Sequence, residues 1–270
     1  MNEAAGGVVV IGWPQLLLAT GFVIFVGLLS LKLALGITRD LAIATVRTYV
    51  QLIALGFVLR WVFGIDSPWL VLGLVALMVL VAAQIILKRS PDAPPGIFTS
   101  SALSMALTGF TVTFAVTGLV VQVQPWYEPR YVIPIAGMVL GNSMTGIALA
   151  LERVFSDMDA RTDEILALTA LGATPWEAAY PSIRDSLRAG LIPTINAMAA
   201  VGIVFIPGMM AGQILAGADP VTATGYQIVV MLMVAAATAL GSVTALLLTY
   251  HRRFSAHGVF LEPGMRSEGQ

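Results

Sequence analysis

Seven long apolar stretches constrain the fold of this chain more than any other feature. They are residues 13–35, 46–64, 68–87, 97–121, 131–152, 190–215 and 223–250. About 20 apolar residues in a helix are enough to cross the hydrocarbon core of a bilayer. Of the 270 residues, 58% are hydrophobic and 11% are charged, which is the composition of an integral membrane protein. The apolar stretches occupy most of the chain, so little length is left for a soluble domain. The sequence predicts an all-α, polytopic protein of the cell inner or plasma membrane, with about seven transmembrane helices.

The distribution of Lys and Arg predicts the orientation of the spans. With the N-terminus outside, every basic residue except Arg60 and Arg130 falls on or near the cytoplasmic side, where membrane proteins collect such residues. The reverse orientation would invert this bias. We therefore expect one transmembrane domain over residues 1–250 and a cytoplasmic C-terminal tail over residues 251–270. The first span is too long for the apolar region of a signal peptide and is expected to be retained.

Composition and motifs exclude several classes of function. The chain has no cysteine, two histidines and a formal net charge of -1. Disulfides and cysteine chemistry are thereby excluded, and neither charge nor motif favours a nucleic-acid partner. No nucleophile, base or ligand cluster is assembled near a membrane interface. We expect a protein that is not an enzyme, binds no cofactor of its own and has the lipid bilayer as its surroundings.

A polar segment, residues 159–188, lies between the fifth and sixth spans, where the predicted orientation places it in the cytoplasm. Asp159 or Thr162 is positioned to cap a first short helix, and Gly172 is positioned to end it in the left-handed conformation. The sequence TPWE at 174–177 then has the pattern of a capping box, with proline at the first helical position. These signals predict two short, ordered helices.

The polar segment has features of a docking surface. Apolar residues would contact the partner, and basic residues would surround them. The apolar residues are Ile165, Leu168, Leu171 and Trp176, and the basic residues are Arg161, Arg184 and Arg188. A further helical segment is expected to begin at Pro181 and to lead into span six, since proline is disfavoured inside a helix. The alternative is that the segment lies on lipid headgroups, with its basic residues facing anionic lipid.

Five ordered blocks of sequence resemble one family. They are VRTYVQLIALGFVLR (46–60), VIPIAGMVLGNSM (132–144), LGATPWEA (171–178), IRDSLRAGLIPT (183–194) and IPGMMAGQILAGADP (206–220). Together they resemble the FetB-type iron-export permease family, whose plant relatives are linked to aluminium tolerance. The resemblance to the EAA loop of ABC importer permeases is only partial, because Leu166 stands where that loop carries Glu.

The resemblance implies the permease subunit of an ABC transporter that exports iron or another metal. Such a permease pairs with a second copy of itself and with two copies of a separate ABC ATP-binding subunit, which holds ATP and Mg. The chain agrees with this division, because it contains no G-x-x-x-x-G-K-[ST] phosphate loop. The predicted ATPase-coupling residues are Leu171, Gly172, Ala173, Thr174, Pro175, Trp176 and Glu177.

Polar and methionine side chains within or near the spans are candidates for a substrate pathway, since polar groups are costly to place in lipid. These candidates are Gln51, Asn142, Ser143, Met144, Asn196, Met209, Met210 and Gln213. Interhelical hydrogen bonds and ordinary packing are the alternative for most of them. No Asp or Glu lies at the centre of a predicted span, and the spans contain no His or Cys. The sequence therefore indicates no dedicated metal site.

Glycine and proline residues predict close packing and interruption within the spans. Two pairs with the small-xxx-small spacing are expected to pack helices closely, within the chain rather than between copies. They are Gly137 with Gly141, and Gly208 with Gly212. The interval 207–220 is expected to form a short re-entrant or outer-face helix, with a kinked helix leaving the bilayer as the alternative.

Three classes of function remain. The polar segment and the five blocks favour an ABC permease. An ATP-independent secondary transporter or channel for a small solute is the alternative, which carboxylates at midspan would favour. A membrane-bound enzyme would need a cluster of reactive groups that the sequence does not assemble.

Overall fold

The computed structural model describes residues 11–65, 67–89, 94, 96–255 and 257–261, and its long elements are helices. The helices are α1 (Trp13–Lys32), α2 (Thr38–Val62), α3 (Pro68–Arg89), α4 (Ile97–Ala115), α5 (Pro129–Ala160), α6 (Thr162–Ala170), α7 (Pro175–Ala200), α8 (Gly208–Leu215) and α9 (Pro220–Thr249). A π-helical segment, Val116–Val120, follows α4, and a 3₁₀ turn, Tyr250–Arg253, follows α9. The predicted all-α membrane fold is confirmed.

The chain divides into two compact units. The smaller unit contains α1, α2 and residues 211–223. Its two long helices are joined by side-chain hydrogen bonds, in which Tyr49 Oη donates to the Leu16 carbonyl at 2.8 Å. The hydroxyls of Thr20 and Tyr49 lie 2.7 Å apart. These bonds fix the register of α1 against α2, while most of their apolar surface stays exposed, as lipid-facing helices require.

The larger unit contains α3 to α7 and most of α9, with α5 at its centre. Helix α5 packs on α3, α4 and α7, and half of its 32 residues are buried. Helix α9 lies along α4, where Ser104 Oγ donates to the Gly241 carbonyl at 2.7 Å. One apolar core extends from these helices to the polar segment and to Phe254 and Phe260.

A close helix crossing in this unit joins α5, α7 and α9. A Cβ atom at Gly146 would lie 2.4 Å from Thr238 Cγ2 and 2.9 Å from the Gly190 carbonyl oxygen. A Cβ at Gly190 would lie 2.7 Å from the Gly146 carbonyl oxygen. Only glycine permits this approach, which is tighter than side-chain contacts allow.

The predicted packing glycines do not make the closest contacts within the chain. A Cβ at Gly137 would meet Met78 at an ordinary 3.5 Å. Cβ atoms at Gly141, Gly208 and Gly212 would have no neighbour within 4 Å among the described residues. Spacing alone fails here because the small-xxx-small pattern says nothing about which face of the helix meets a neighbour.

Helix α7 runs antiparallel to α5 and α9. Its beginning lies beside the ends of both helices, since the Trp176 and Tyr250 rings are 5.5 Å apart and Arg253 pairs with Asp159. The three helices also meet at the Gly146–Gly190 crossing, which lies farther along α7 from Trp176. Helices α5 and α9 therefore run parallel to each other, and α7 runs antiparallel beside them.

Within the described part of the chain, six helices are long and apolar enough to cross a membrane: α1, α2, α3, α4 with its π-helical segment, α5, and α9 with its 3₁₀ turn. Helix α7 is not among them, because its first half carries charged residues. The sequence prediction of a new segment beginning at Pro181 is wrong. Helix α7 is continuous, with Pro181 and Pro193 inside it. Burial of Ala178, Ala179 and Ile183 against the core holds the helix together where proline removes a backbone hydrogen bond.

The predicted sixth span, 190–215, is divided in the structure. Helix α7 ends at Ala200, residues 201–207 are not helical, and α8 follows as a separate helix of eight residues. The Gly202 amide bonds to the Phe205 carbonyl at 3.0 Å, which closes a tight turn between the two helices. The short helix expected in the interval 207–220 is present, and its depth in the membrane stays a prediction.

Candidate functional site: a docking surface and a cavity

The capping box that begins α7 is formed as predicted. Glu177 N donates to Thr174 Oγ1 at 3.3 Å, and Thr174 N donates to Glu177 Oε2 at 2.8 Å. The hydrogen bonds from Thr174, first from its backbone and then from its side chain, hold the pKa of the Glu177 carboxyl below its ordinary value. The reciprocal bonds satisfy amides that a helix start otherwise leaves unpaired.

The end of α6 also matches the prediction, whereas its beginning does not. Gly172 has φ +96°, which is the left-handed conformation expected after a helix end. Asp159 lies inside α5 and pairs with Arg253, and the Thr162 hydroxyl donates to the Asp159 carbonyl at 2.8 Å. Neither side chain caps α6, because the N-cap position is Arg161, which makes no side-chain cap bond. The interval between α5 and α6 is too short for the predicted cap.

The tip of the polar segment exposes apolar side chains. Leu171 is 87% exposed and Trp176 is 39% exposed, on either side of the Gly172 turn. Ile165, in contrast, is 1% exposed and belongs to the main core. The prediction that Ile165 contacts a partner is therefore wrong, since the apolar face of α6 turns inward at this position. The predicted coupling residues 171–177 form a continuous surface at the tip, and their contact with an ATPase stays a prediction.

The predicted basic residues do not share one environment. Arg161 Nη2 lies 2.6 Å from Glu164 Oε1, and Arg161 Nη1 lies 3.7 Å from Asp157 Oδ2. The bond to Glu164 is the main reason why the pKa of Arg161 is raised, and it lowers the pKa of Glu164. Arg184 pairs with its neighbour Asp185 at 3.0 Å on the surface. Arg161 and Arg184 are therefore members of ion pairs, whereas Arg188 is exposed on α7.

Residues that follow α9 pack against the polar segment and hold it in place. The Arg253 side chain is 1% exposed, pairs with Asp159 and lies 5.2 Å from the centre of the Phe260 ring. Phe260 packs edge-on against Phe254 at 5.5 Å. A Cβ at Gly258 would lie 3.6 Å from Pro175 Cγ. The described part of the predicted tail is thus packed against the polar segment and ties α9 to it.

A cavity of about 470 Å³ lies within the larger unit, between α5, α7, α9 and the turn that precedes α8. Four of its lining residues are polar and uncharged, and three are methionines. The polar residues are Asn142, Thr145, Thr194 and Gln227, and the methionines are Met138, Met209 and Met231. Its size is that of a site for a small molecule rather than for a single ion.

Only part of the predicted pathway is assembled at this cavity. Asn142 and Met209 line it, while Met210 and Asn196 are not among its lining residues. Ser143 is buried and donates to the Val139 carbonyl at 2.6 Å, and Met144 packs on the main core. Gln51 and Gln213 belong to the smaller unit. Ser143 and Met144 therefore contribute to packing, and Gln51 and Gln213 lie outside the unit that contains the cavity. Packing was the alternative expected for most of these candidates.

The sequence analysis missed Gln227, the most deeply buried polar side chain of the lining. Gln227 is 5% exposed, and its Oε1 has no hydrogen-bond partner in the described part of the chain. The signal was available, because a glutamine inside an apolar span is costly in the same way as the asparagine that was selected. Among the described residues, no group of three or more His, Cys, Asp or Glu is placed to hold a metal ion.

The model of the uncharacterised protein family UPF0014 matches residues 13–254. The UPF0014 membrane protein slr1647 of Synechocystis is 39% identical over 83% of this chain and 86% of its own length. The probable iron export permease protein FetB of Escherichia coli is 36% identical over 90% of this chain and 92% of its own. The protein ALUMINUM SENSITIVE 3 of Arabidopsis thaliana is 32% identical over 84% and 82%. No solved structure matches the chain.

Proposed function

Because the chain belongs to the UPF0014 family, we propose that it is the permease subunit of an ABC transporter that exports iron or another metal. The tip of the polar segment carries this proposal. Leu171 and Trp176 are exposed on a capped, glycine-terminated turn whose inner face is fixed in the core. A rigid element with exposed apolar residues suits insertion into a groove of a partner. A relative named a probable iron export permease supports a metal as the cargo.

Helix α7 offers a direct mechanical route from the docking surface to the cavity. It begins at the tip with Pro175 and Trp176 and lines the cavity with Pro193, Thr194 and Ala197. Trp176 and Thr194 are separated by about 27 Å of continuous helix. A displacement of the tip by the ATPase therefore moves one wall of the cavity.

Helix α9 offers a second route to the same cavity. Its C-terminal end is joined to the polar segment by the Arg253–Asp159 pair and by the Trp176–Tyr250 contact. Its Gln227 and Met231 line the cavity. Two ATPase subunits, closing on ATP and Mg, would draw together the polar segments of two permease copies and shift these helices between two packings.

The proposal is tested by coexpression with candidate ABC ATP-binding subunits from the same genome. We expect the two proteins to copurify, and Leu171→Ala and Trp176→Ala each to weaken the complex by about tenfold or more, because exposed apolar anchors dominate such interfaces. Gly172→Asp should abolish coupling, since an L-residue is strained at φ +96°. Metal-stimulated ATP hydrolysis in lipid vesicles is the functional readout.

Leu119→Ala is the matched control, because Leu119 is also highly exposed but lies in the π-helical segment after α4. It should leave copurification and ATP hydrolysis unchanged. Transport that proceeds without any ATPase would contradict the proposal and would favour a secondary transporter or channel. Normal coupling in Trp176→Ala together with Gly172→Asp would contradict the assigned docking surface.

A further inference from the structure

The lining of the cavity combines hydrogen-bonding groups with apolar surface and carries no charge. Asn142, Thr145, Thr194 and Gln227 supply amide and hydroxyl groups, and methionine, valine, proline and phenylalanine side chains form much of the rest. No Asp, Glu, His, Lys or Arg is among its described lining residues. This composition is typical of sites that bind a small uncharged molecule through a few directional contacts.

Gln227 adds an unsatisfied acceptor to this lining. Its side chain is 95% removed from solvent, and Oε1 has no hydrogen-bond partner in the described part of the chain. A buried amide oxygen without a donor is destabilising, and such groups are uncommon in folded proteins. A bound molecule with an outward N–H or O–H group would supply the donor.

A bare divalent or trivalent cation does not fit the same lining. Transfer of such a charge out of water is strongly unfavourable unless opposite charges compensate it. On the lining helices α5 and α7, Glu152 and Asp185 are exposed. They lie about 15 Å along α5 from Asn142 and about 14 Å along α7 from Thr194. The thioethers of Met138, Met209 and Met231 carry no charge to offset that of the ion.

We propose that this cavity is the cargo site and that it accepts a metal only inside a charge-neutral complex with outward N–H or O–H donors. Because Oε1 has almost no accessible surface, a small rotation of the Gln227 side chain turns it toward the cavity, where one of these donors bonds to it and the apolar lining contacts the remaining surface of the complex. The metal in this inference rests on the proposed function, whereas the preference for a neutral, donor-bearing solute rests on the cavity itself. The metal keeps all its ligands throughout, so no coordination bond is made or broken when the complex binds.

Iron(III) tris(acetohydroxamate) is a suitable probe for this site. Three singly negative ligands cancel the charge of the ion, and each retains an N–H group that can face the protein. Binding would be measured by titration calorimetry on the full chain in lipid nanodiscs, without an ATPase. Failure of this test is therefore distinguishable from failure of the ABC assignment, which the copurification experiment decides.

Three arms separate the possible ligands. We expect the neutral iron complex to bind, and iron(II) alone and acetohydroxamic acid alone to bind at least tenfold more weakly. Equal or tighter binding of iron(II) alone would overturn the proposal, because the site would then accept a bare cation. Equal binding of the metal-free acid would overturn the claim that the site recognises a complex. Absence of binding by all three would overturn it as well.

Substitutions assign the binding to this cavity. Gln227→Leu keeps the bulk of the side chain but removes the acceptor, and loss of one neutral hydrogen bond should weaken binding by about fivefold. Gln84→Leu, at an exposed glutamine of α3 that does not line the cavity, is the matched control and should have no effect. If Gln227→Leu fails to fold, Ala197→Leu decides, since it fills the cavity from α7 and should abolish binding. Unchanged binding in Ala197→Leu would overturn the proposal.

Discussion

Arg253 joins two parts of the chain that are far apart in sequence. Its guanidinium is buried, pairs with Asp159 of α5 and lies over the Phe260 ring, while Asp159 retains some exposure to solvent. A buried charge that loses its partner is left without compensation, so one side of such a pair cannot be removed without a large penalty. The pair therefore stabilises the attachment of the polar segment to the end of α9.

We expect Asp159→Asn to lower the free energy of unfolding by about 3 kcal/mol, because the buried Arg253 would keep its charge without a carboxylate. The midpoint of thermal unfolding in detergent measures the effect. Asp185→Asn is the control, since its pair with Arg184 is exposed and contributes at most about 1 kcal/mol. Equal, small effects of the two substitutions would show that the Asp159 pair does not stabilise the segment.

Prediction from sequence succeeded for residues with local partners and failed for residues with distant ones. The Thr174–Glu177 capping box depends on atoms three residues apart, and its pattern is visible in the sequence. The Asp159 carboxylate pairs with Arg253, which is 94 positions away in sequence, so no local pattern reveals the pair. Only two of the eight candidate pathway residues line the cavity, for a related reason, since a polar residue in a span does not disclose which helix face it occupies.

The crossing of α5 and α7 depends on two glycines that the sequence analysis did not select. Each lies against the backbone of the other helix, so an added methyl group must push the helices apart. The crossing also adjoins the cavity, since Gly146 and Gly190 both contribute to its lining. The separation of these helices is therefore coupled to the shape of the candidate site.

Gly190→Ala is expected to destabilise the protein by about 1–3 kcal/mol, because its Cβ would lie 2.7 Å from a carbonyl oxygen that cannot turn away. Thermal unfolding is the measurement. Gly141→Ala, on α5 with open space around the added atom, should change stability by less than about 1 kcal/mol. A Gly141→Ala protein as unstable as Gly190→Ala would show that Gly141 meets a surface outside this chain.

The membrane helices were largely predictable, and their bounds were less so. Apolar length identifies α3 and α4 closely, because lipid requires a minimum span. The start of α7 at Pro175 was predicted, but the sequence also predicted a break at Pro181, since local propensity disfavours proline in a helix. Packing of its first half on the core overrides that propensity, and packing cannot be derived from the segment alone.

At the scale of the whole molecule, the larger unit has its polar segment at one end and the α4–α5 connection at the other. Arg252 bonds to Ser100 near the beginning of α4, and Arg253 bonds to Asp159 near the end of α5. The loop between those helices, including Gln124, therefore lies away from the polar segment. The basic residues predict that the polar segment is on the cytoplasmic side.

Single cysteines can test this orientation directly, because the chain has none of its own. In intact cells, we expect a membrane-impermeant maleimide to label Gln124→Cys and not Leu171→Cys, both of which replace exposed residues. Permeabilised cells should show labelling of both. Labelling of Leu171→Cys alone in intact cells would contradict the predicted orientation.

The packing of Arg253 and Gly258 against the polar segment also bears on the biogenesis of the protein. The ribosome makes Arg253 and Phe260 only after the polar segment and two further helices have been synthesised. A nascent or prematurely terminated chain would expose the tip without its buried support. Under the proposed function, we expect an incomplete chain to bind the ATPase poorly, because its exposed tip would lack this buried support.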